Sequence, residues 1–149
     1  MSTFINFVSR ILLFLSVLIL ASCSNETTYT PPIESKDLAI TYYAFGKMVV
    51  DGVTYSNELQ ILPDGKVKKW SPADPHYILP TDIDEIVNSG IHTIIIGTGD
   101  VGNVGVPEET LKFLNSRGIN VYEINTHKAV ELFNNSPKEK LGAVFHLNC

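Results

Sequence analysis

Apolar and polar positions change their spacing twice along this chain. Residues 11–20 form an apolar run interrupted only by Ser16. From residue 38 to residue 70, short stretches of alternating character are separated by turn residues, and a period of two predicts strands. The predicted strands are 38–43, 47–50, 53–55, 58–62 and 66–70. Asp51-Gly52 joins the second to the third, because that pair tolerates positive φ, and Pro63-Asp64-Gly65 turns the chain between the fourth and fifth. Val67 set among Lys66, Lys68 and Lys69 suits an edge or half-exposed strand.

Beyond residue 80 the spacing alternates between helix and buried strand. Thr81 is the predicted cap of a first helix that puts Ile83, Ile86 and Val87 on one face and stops at Gly90. Residues 91–96 are almost continuously apolar, as in a strand buried on both faces. Pro107 suits the first position of a second helix, with Glu108 and Glu109 in its first turn and Leu111 and Leu114 facing inward. Residues 119–124 form the next strand. Thr126 is the predicted cap of a third helix carrying Ala129, Leu132 and Phe133, which breaks at Asn134-Asn135-Ser136-Pro137, and 141–147 is the last strand. The predicted fold is therefore α/β, three layers around a mixed, partly parallel sheet, with an additional N-terminal β-hairpin portion.

The N-terminal run reads differently. Ten residues are too few to span a bilayer, which takes about 20, and with Arg10 before them they read as a signal peptide. Leu20-Ala21-Ser22-Cys23 resembles a lipobox: small residues let the peptidase close on the chain, and the cysteine thiol accepts the diacylglyceryl group. The expected organisation is a lipoprotein signal peptide over 1–22, a tether over 23–37 lipidated at Cys23, and one domain over 38–149. The polar tether contains Pro31-Pro32 and reaches roughly 45–50 Å when extended. By resemblance to Gram-negative sorting rules, Ser24 after the cysteine favours the outer membrane; otherwise the expected place is the outer face of the cell membrane.

Charge narrows the partners. The chain has 11 basic and 16 acidic residues and a net charge of −5. No basic cluster offsets that balance, which argues against nucleic acid, whose affinity comes from neutralised phosphates. With Cys23 acylated, Cys149 has no intramolecular partner, so packing rather than a disulfide must hold the domain. His76, His92, His127 and His146 lack metal-ligand spacing. Trp70 and the tyrosines read as packing.

Gly97-Thr98-Gly99-Asp100-Val101-Gly102 spells G-x-G-x-x-G directly after a predicted strand, with Glu123 on the next strand where a ribose-binding acid could stand. A dinucleotide site needs the helix to follow the glycines at once, so that its free N–H groups meet the pyrophosphate. Here Asn103, Val104, Gly105 and Val106 intervene, so no cofactor is expected. The loop still leaves the carboxyl end of a strand, where α/β sheets bind ligands. The candidate ligand or partner site is Gly97, Thr98, Gly99, Gly102 and Asn103, with Thr126 beside them at the start of the third helix.

Several segments in order then resemble a known family. They are Phe45-Gly46, Tyr55, Ile61-Leu62-Pro63-Asp64-Gly65, Trp70, Ile94-Ile95-Ile96-Gly97-Thr98-Gly99, Gly118-Ile119, Val121, Thr126, Ala129, Phe133-Asn134 and His146-Leu147-Asn148-Cys149. Over residues 38–149 this looks like the small domain shared by the adipogenesis-associated domain protein and the mitochondrial complex I assembly factor. The resemblance implies a three-layer α/β domain around a mixed sheet. It implies an accessory or assembly role, and it supplies no catalytic residue. The chain departs from the pattern in its lipobox, in Phe133 where Tyr is usual, and in Asn148 where the ending is usually His-Leu-Thr-Cys. The expected function is a membrane-anchored accessory module with an envelope protein partner. The alternative is a small-ligand or cofactor-binding enzyme using loop 97–105.

Overall fold

A computed structural model describes residues 38–149. The expectations for the signal peptide, for Cys23 and for the tether lie outside the described residues.

The alternating segments form two sheets. β1 (Ile40–Ala44), β2 (Lys47–Val50) and β3 (Val53–Tyr55) make an antiparallel meander in the order β1-β2-β3. It is the additional N-terminal β portion, two consecutive hairpins forming a three-stranded sheet of their own. Asp51 and Gly52, both at positive φ (48° and 78°), make its second turn. β4 (Leu59–Ile61) and β5 (Val67–Lys69) join β6 (Thr93–Thr98), β7 (Asn120–Ile124) and β8 (Leu141–His146) in a five-stranded sheet ordered β5-β4-β8-β6-β7. β6 runs parallel to both β7 and β8, and β4 is antiparallel to β8, so the sheet is mixed as expected. β5 with its lysines is an outer strand.

Three helices cover the faces: α1 (Asp84–Asn88), α2 (Glu108–Ser116) and α3 (Thr126–Asn135). On one face Ile86, Val87 and Leu114 pack with Ile94, Ile96 and Val144. On the other, α3 and the meander enclose Met48, Leu59, Ile95, Phe133 and Phe145. Central β6 and β8 are buried almost throughout, which is why their sequences lack alternation. The result is the three-layer α/β domain.

Three local expectations are corrected. Thr81 caps nothing: it lies inside a 3-10 turn, Pro80–Asp82, and α1 starts beyond it without a side-chain cap. The Asp82 carboxylate instead accepts from the N–H groups of Ala73 (2.8 Å) and Leu79 (2.7 Å), pinning the preceding loop. On α2 the buried positions are Thr110 and Leu114, with Leu111 only half-buried. Thr110 turns inward because its hydroxyl donates to the carbonyl of Ile78 at 2.8 Å. The cap of α3 is Asn125, whose side chain accepts from Lys128 N–H at 3.0 Å; Thr126 is the first helical residue and is fully buried.

Candidate functional site

Parallel pairing brings the carboxyl ends of β6, β7 and β8 to one edge of the sheet. The chain leaving β6 turns at Gly99, at φ +96°, and closes through Val104 N–H donating to Thr98 O at 3.1 Å. The loop then meets two other segments. Thr126 N–H donates to Gly99 O at 2.9 Å, while the Thr126 hydroxyl accepts from Gly99 N–H at 3.0 Å and donates to His146 O at 2.7 Å. Val101 N–H donates to Cys149 O at 3.2 Å. Gly46 N–H donates to Leu147 O of the same segment at 2.8 Å. Residues 147–149 are therefore linked both to the β1–β2 turn and to the glycine loop.

This arrangement divides the residues expected to form the site. Gly97, Thr98, Gly99 and Thr126 are brought together, but as buried packing, and the Gly99 and Val101 donors are already used. Gly102 and Asn103 are exposed. The helix after the glycines begins only at Glu108. The helix that abuts the loop is α3, which spends its Thr126 N–H on Gly99 and its Lys128 N–H on Asn125. Glu123 is exposed on the outer strand β7.

What reaches solvent at this edge is a different set. His127 Nε2–H donates to Asp100 Oδ1 at 2.8 Å. Tyr43 meets the His127 ring edge-on, centroids 4.7 Å apart, and its hydroxyl donates to Leu147 O at 3.2 Å. A groove of about 210 Å³ between β1 and α3 runs past Tyr42, Tyr43, His127 and Glu131. Phe45 and Val101 are 64% and 67% exposed, and the main chain at Gly46 and at Val101 bonds residues 147–149. Below them the edge is closed by His146 Nδ1–H donating to Asn148 O at 3.0 Å and by Asn148 Nδ2 donating to Glu58 at 2.8 Å. The Asp100–His127 pair spans 27 residues of sequence and has no periodicity. Its one trace was an acid inside a glycine loop and a histidine after a buried threonine.

Burial, and then the negative charge of Asp100, push the Tyr43 phenol up to about 12 from 10.0. The folded state therefore holds this proton where the unfolded chain has lost it. Stability is expected to be unaffected below pH 10 and to fall as pH rises from about 10 to about 12. Ultraviolet titration should show one late-ionising tyrosine that disappears in Tyr43→Phe. Its persistence in that variant would reject the assignment.

Comparison with known proteins places this geometry. Residues 40–146 match the profile of a family described as protein of unknown function (DUF498/DUF598). A conserved hypothetical protein of Pyrococcus horikoshii has a similar structure, with a TM-score of 0.67 at 21% identity, covering 74% of this chain and 98% of that one. A Bartonella henselae protein described as an outer membrane protein superposes with a TM-score of 0.65 at 22% identity, covering 75% and 96%. A Bordetella pertussis protein described as a Mth938-like domain gives 0.62 at 16% identity, covering 80% and 91%. At such identities the likeness is one of fold.

Proposed function

The chain belongs to the DUF498/DUF598 family, and from that premise we propose that it is an envelope-anchored accessory module that captures a protein partner on the carboxyl edge of its sheet. The observation that carries this reading is the pair Phe45 and Val101. They are the most exposed large hydrophobic side chains among the described residues, and the main chain at or beside each bonds the same segment, Gly46 N–H to Leu147 O and Val101 N–H to Cys149 O. Exposed apolar groups gathered on one edge mark interaction sites, where the same groups scattered singly would not. The resemblance to an assembly-factor domain supports an accessory role. The lipobox at Cys23 and the outer-membrane description of the Bartonella relative support the envelope.

The exposed loop residues Gly102 and Asn103 belong to the capture face. Gly97, Thr98, Gly99 and Thr126 support it from beneath, so Thr98→Arg would test folding rather than binding.

Crosslinking on intact membranes tests this. Phe45→Asp with Val101→Asp is expected to abolish capture of a specific partner while moving the thermal midpoint little, because both side chains are exposed. Asn103→Arg should weaken capture. Cys23→Ser should release the protein from the membrane. Unchanged capture by the double variant would remove the face from consideration, and unchanged membrane retention would remove the anchor. The Asp100–His127 pair favours a second reading, a small-ligand enzyme working at loop 97–105. Calorimetric binding of a dinucleotide that is lost in His127→Ala would select it.

A further inference from the structure

Every open sheet presents two edges, and an edge strand with free N–H and C=O groups is a template for another strand. This fold has two sheets and protects its edges unequally. β5 is three residues long and carries Lys68 and Lys69. β3 is equally short. β1 is capped by Asn134, whose amide accepts from Ile40 N–H at 2.9 Å and donates to Ile40 O at 2.8 Å, as a neighbouring strand would. β7 has none of these devices. It is five residues long, without lysine or proline, and its central Tyr122 is 48% exposed.

The ladder gives the direction of each β7 group. Asn120 N–H donates to His92 O toward β6, so Asn120, Tyr122 and Ile124 turn their main chain inward. Val121 and Glu123 turn theirs outward, and among the described residues those four groups have no protein partner. We infer that two copies of this protein join antiparallel through β7, about a two-fold axis at Tyr122, into one continuous sheet.

The register follows from the side chains. Centred on Tyr122, Val121 of each copy exchanges both hydrogen bonds with Glu123 of the other, using every outward group. The two Tyr122 rings meet directly as a close cross-strand pair. Centring on Glu123 would oppose two carboxylates. Centring on Val121 would call on Ile119 N–H, which already donates to Leu114 O at 3.2 Å. A groove of about 300 Å³ beside Tyr122, lined by Thr93, Leu132, Ser136 and Pro137, gives each partner ring a seat. The β7 edge is separate from the capture face, so the inference does not depend on the proposed function or on the anchor.

Cysteine crosslinking of the full-length protein in mild detergent tests it. Residues opposed across a non-hydrogen-bonded pair have Cα atoms about 4.5 Å apart, inside the range a disulfide spans. Under a mild oxidant, Tyr122→Cys is expected to form a covalent dimer at least about tenfold faster than Lys69→Cys on the β5 edge, with the wild type giving the background from the native cysteines. Mixed Asn120→Cys and Ile124→Cys proteins should also crosslink, because this register opposes them. In the Tyr122→Cys background, Glu123→Pro removes one outward donor and leaves the β6 ladder intact, and should slow the reaction about tenfold, whereas Glu123→Gln should not. Circular dichroism checks that the proline variant is folded. Equal rates for Tyr122→Cys and Lys69→Cys would overturn the inference, as would a folded Glu123→Pro variant that crosslinks at the full rate.

Discussion

Gly99→Ala is expected to lower the free energy of unfolding by about 3–5 kcal/mol, although it adds one methyl group to a loop. Two effects combine. The φ of +96° lies where an L side chain is strained. A Cβ there would also stand 2.5 Å from Cys149 O and 2.7 Å from Asn148 O. Those are main-chain atoms, so no rotamer change relieves the clash, and residues 147–149 would have to leave the loop. Gly102→Ala is the matched comparison. Its φ is +80°, but the nearest atom to its Cβ is 3.5 Å away, on Asn125. Strain alone should cost about 1–2 kcal/mol there. Urea denaturation followed by circular dichroism measures both. Equal costs would mean that residues 147–149 do not pack on Gly99.

That contrast shows where sequence reasoning reached and where it stopped. The layers were legible because β6 lies between strands and between helix layers. A strand buried on both faces must be apolar where both faces are covered, and Ile94-Ile95-Ile96 are. The turns were legible because positive φ calls for particular residues, and Asp51-Gly52 supplies them. The glycines of loop 97–105 were visible too, but their surroundings were not. Whether Gly99 is open or covered depends on residues nearly fifty positions later, and no local spacing records that. Thr110 was missed for the same reason. Leucines at helical spacing pointed to Leu111, while the determining partner was a carbonyl at Ile78, across a loop. Asp100 and His127 could be noticed singly, but only the parallel pairing of β6 with β7 and β8 brings the loop after one strand to the start of α3. The family resemblance implied the three-layer α/β fold that the structure has, and residues 40–146 match the DUF498/DUF598 family. It carried no catalytic residue that could have marked a site.

Thr126 is where reading the residue as a cap and reading it as a buried bridge predict different magnitudes. A threonine that only caps α3 would cost about 1 kcal/mol on removal. In the structure that task falls to Asn125, so Asn125→Ala should carry a cost of about 1 kcal/mol. Thr126 does something else: its buried hydroxyl joins Gly99 N–H to His146 O. Thr126→Val keeps the shape and removes the hydroxyl, leaving a donor and an acceptor buried without partners. Each such group costs about 1–3 kcal/mol, so the variant is expected to lose about 2–4 kcal/mol. Thr126→Ser keeps the bridge and loses one methyl contact, so it should lose only about 1 kcal/mol. Amide exchange adds a local readout, since Gly99 should lose its protection in Thr126→Val and keep it in Thr126→Ser. If valine proves no worse than serine, the hydroxyl does not hold the loop. If valine is costly and the Gly99 amide opens, the Thr126 hydroxyl is what keeps the Gly99 amide closed, and the main-chain bonds from Thr126 N–H to Gly99 O and from Val101 N–H to Cys149 O do not replace it.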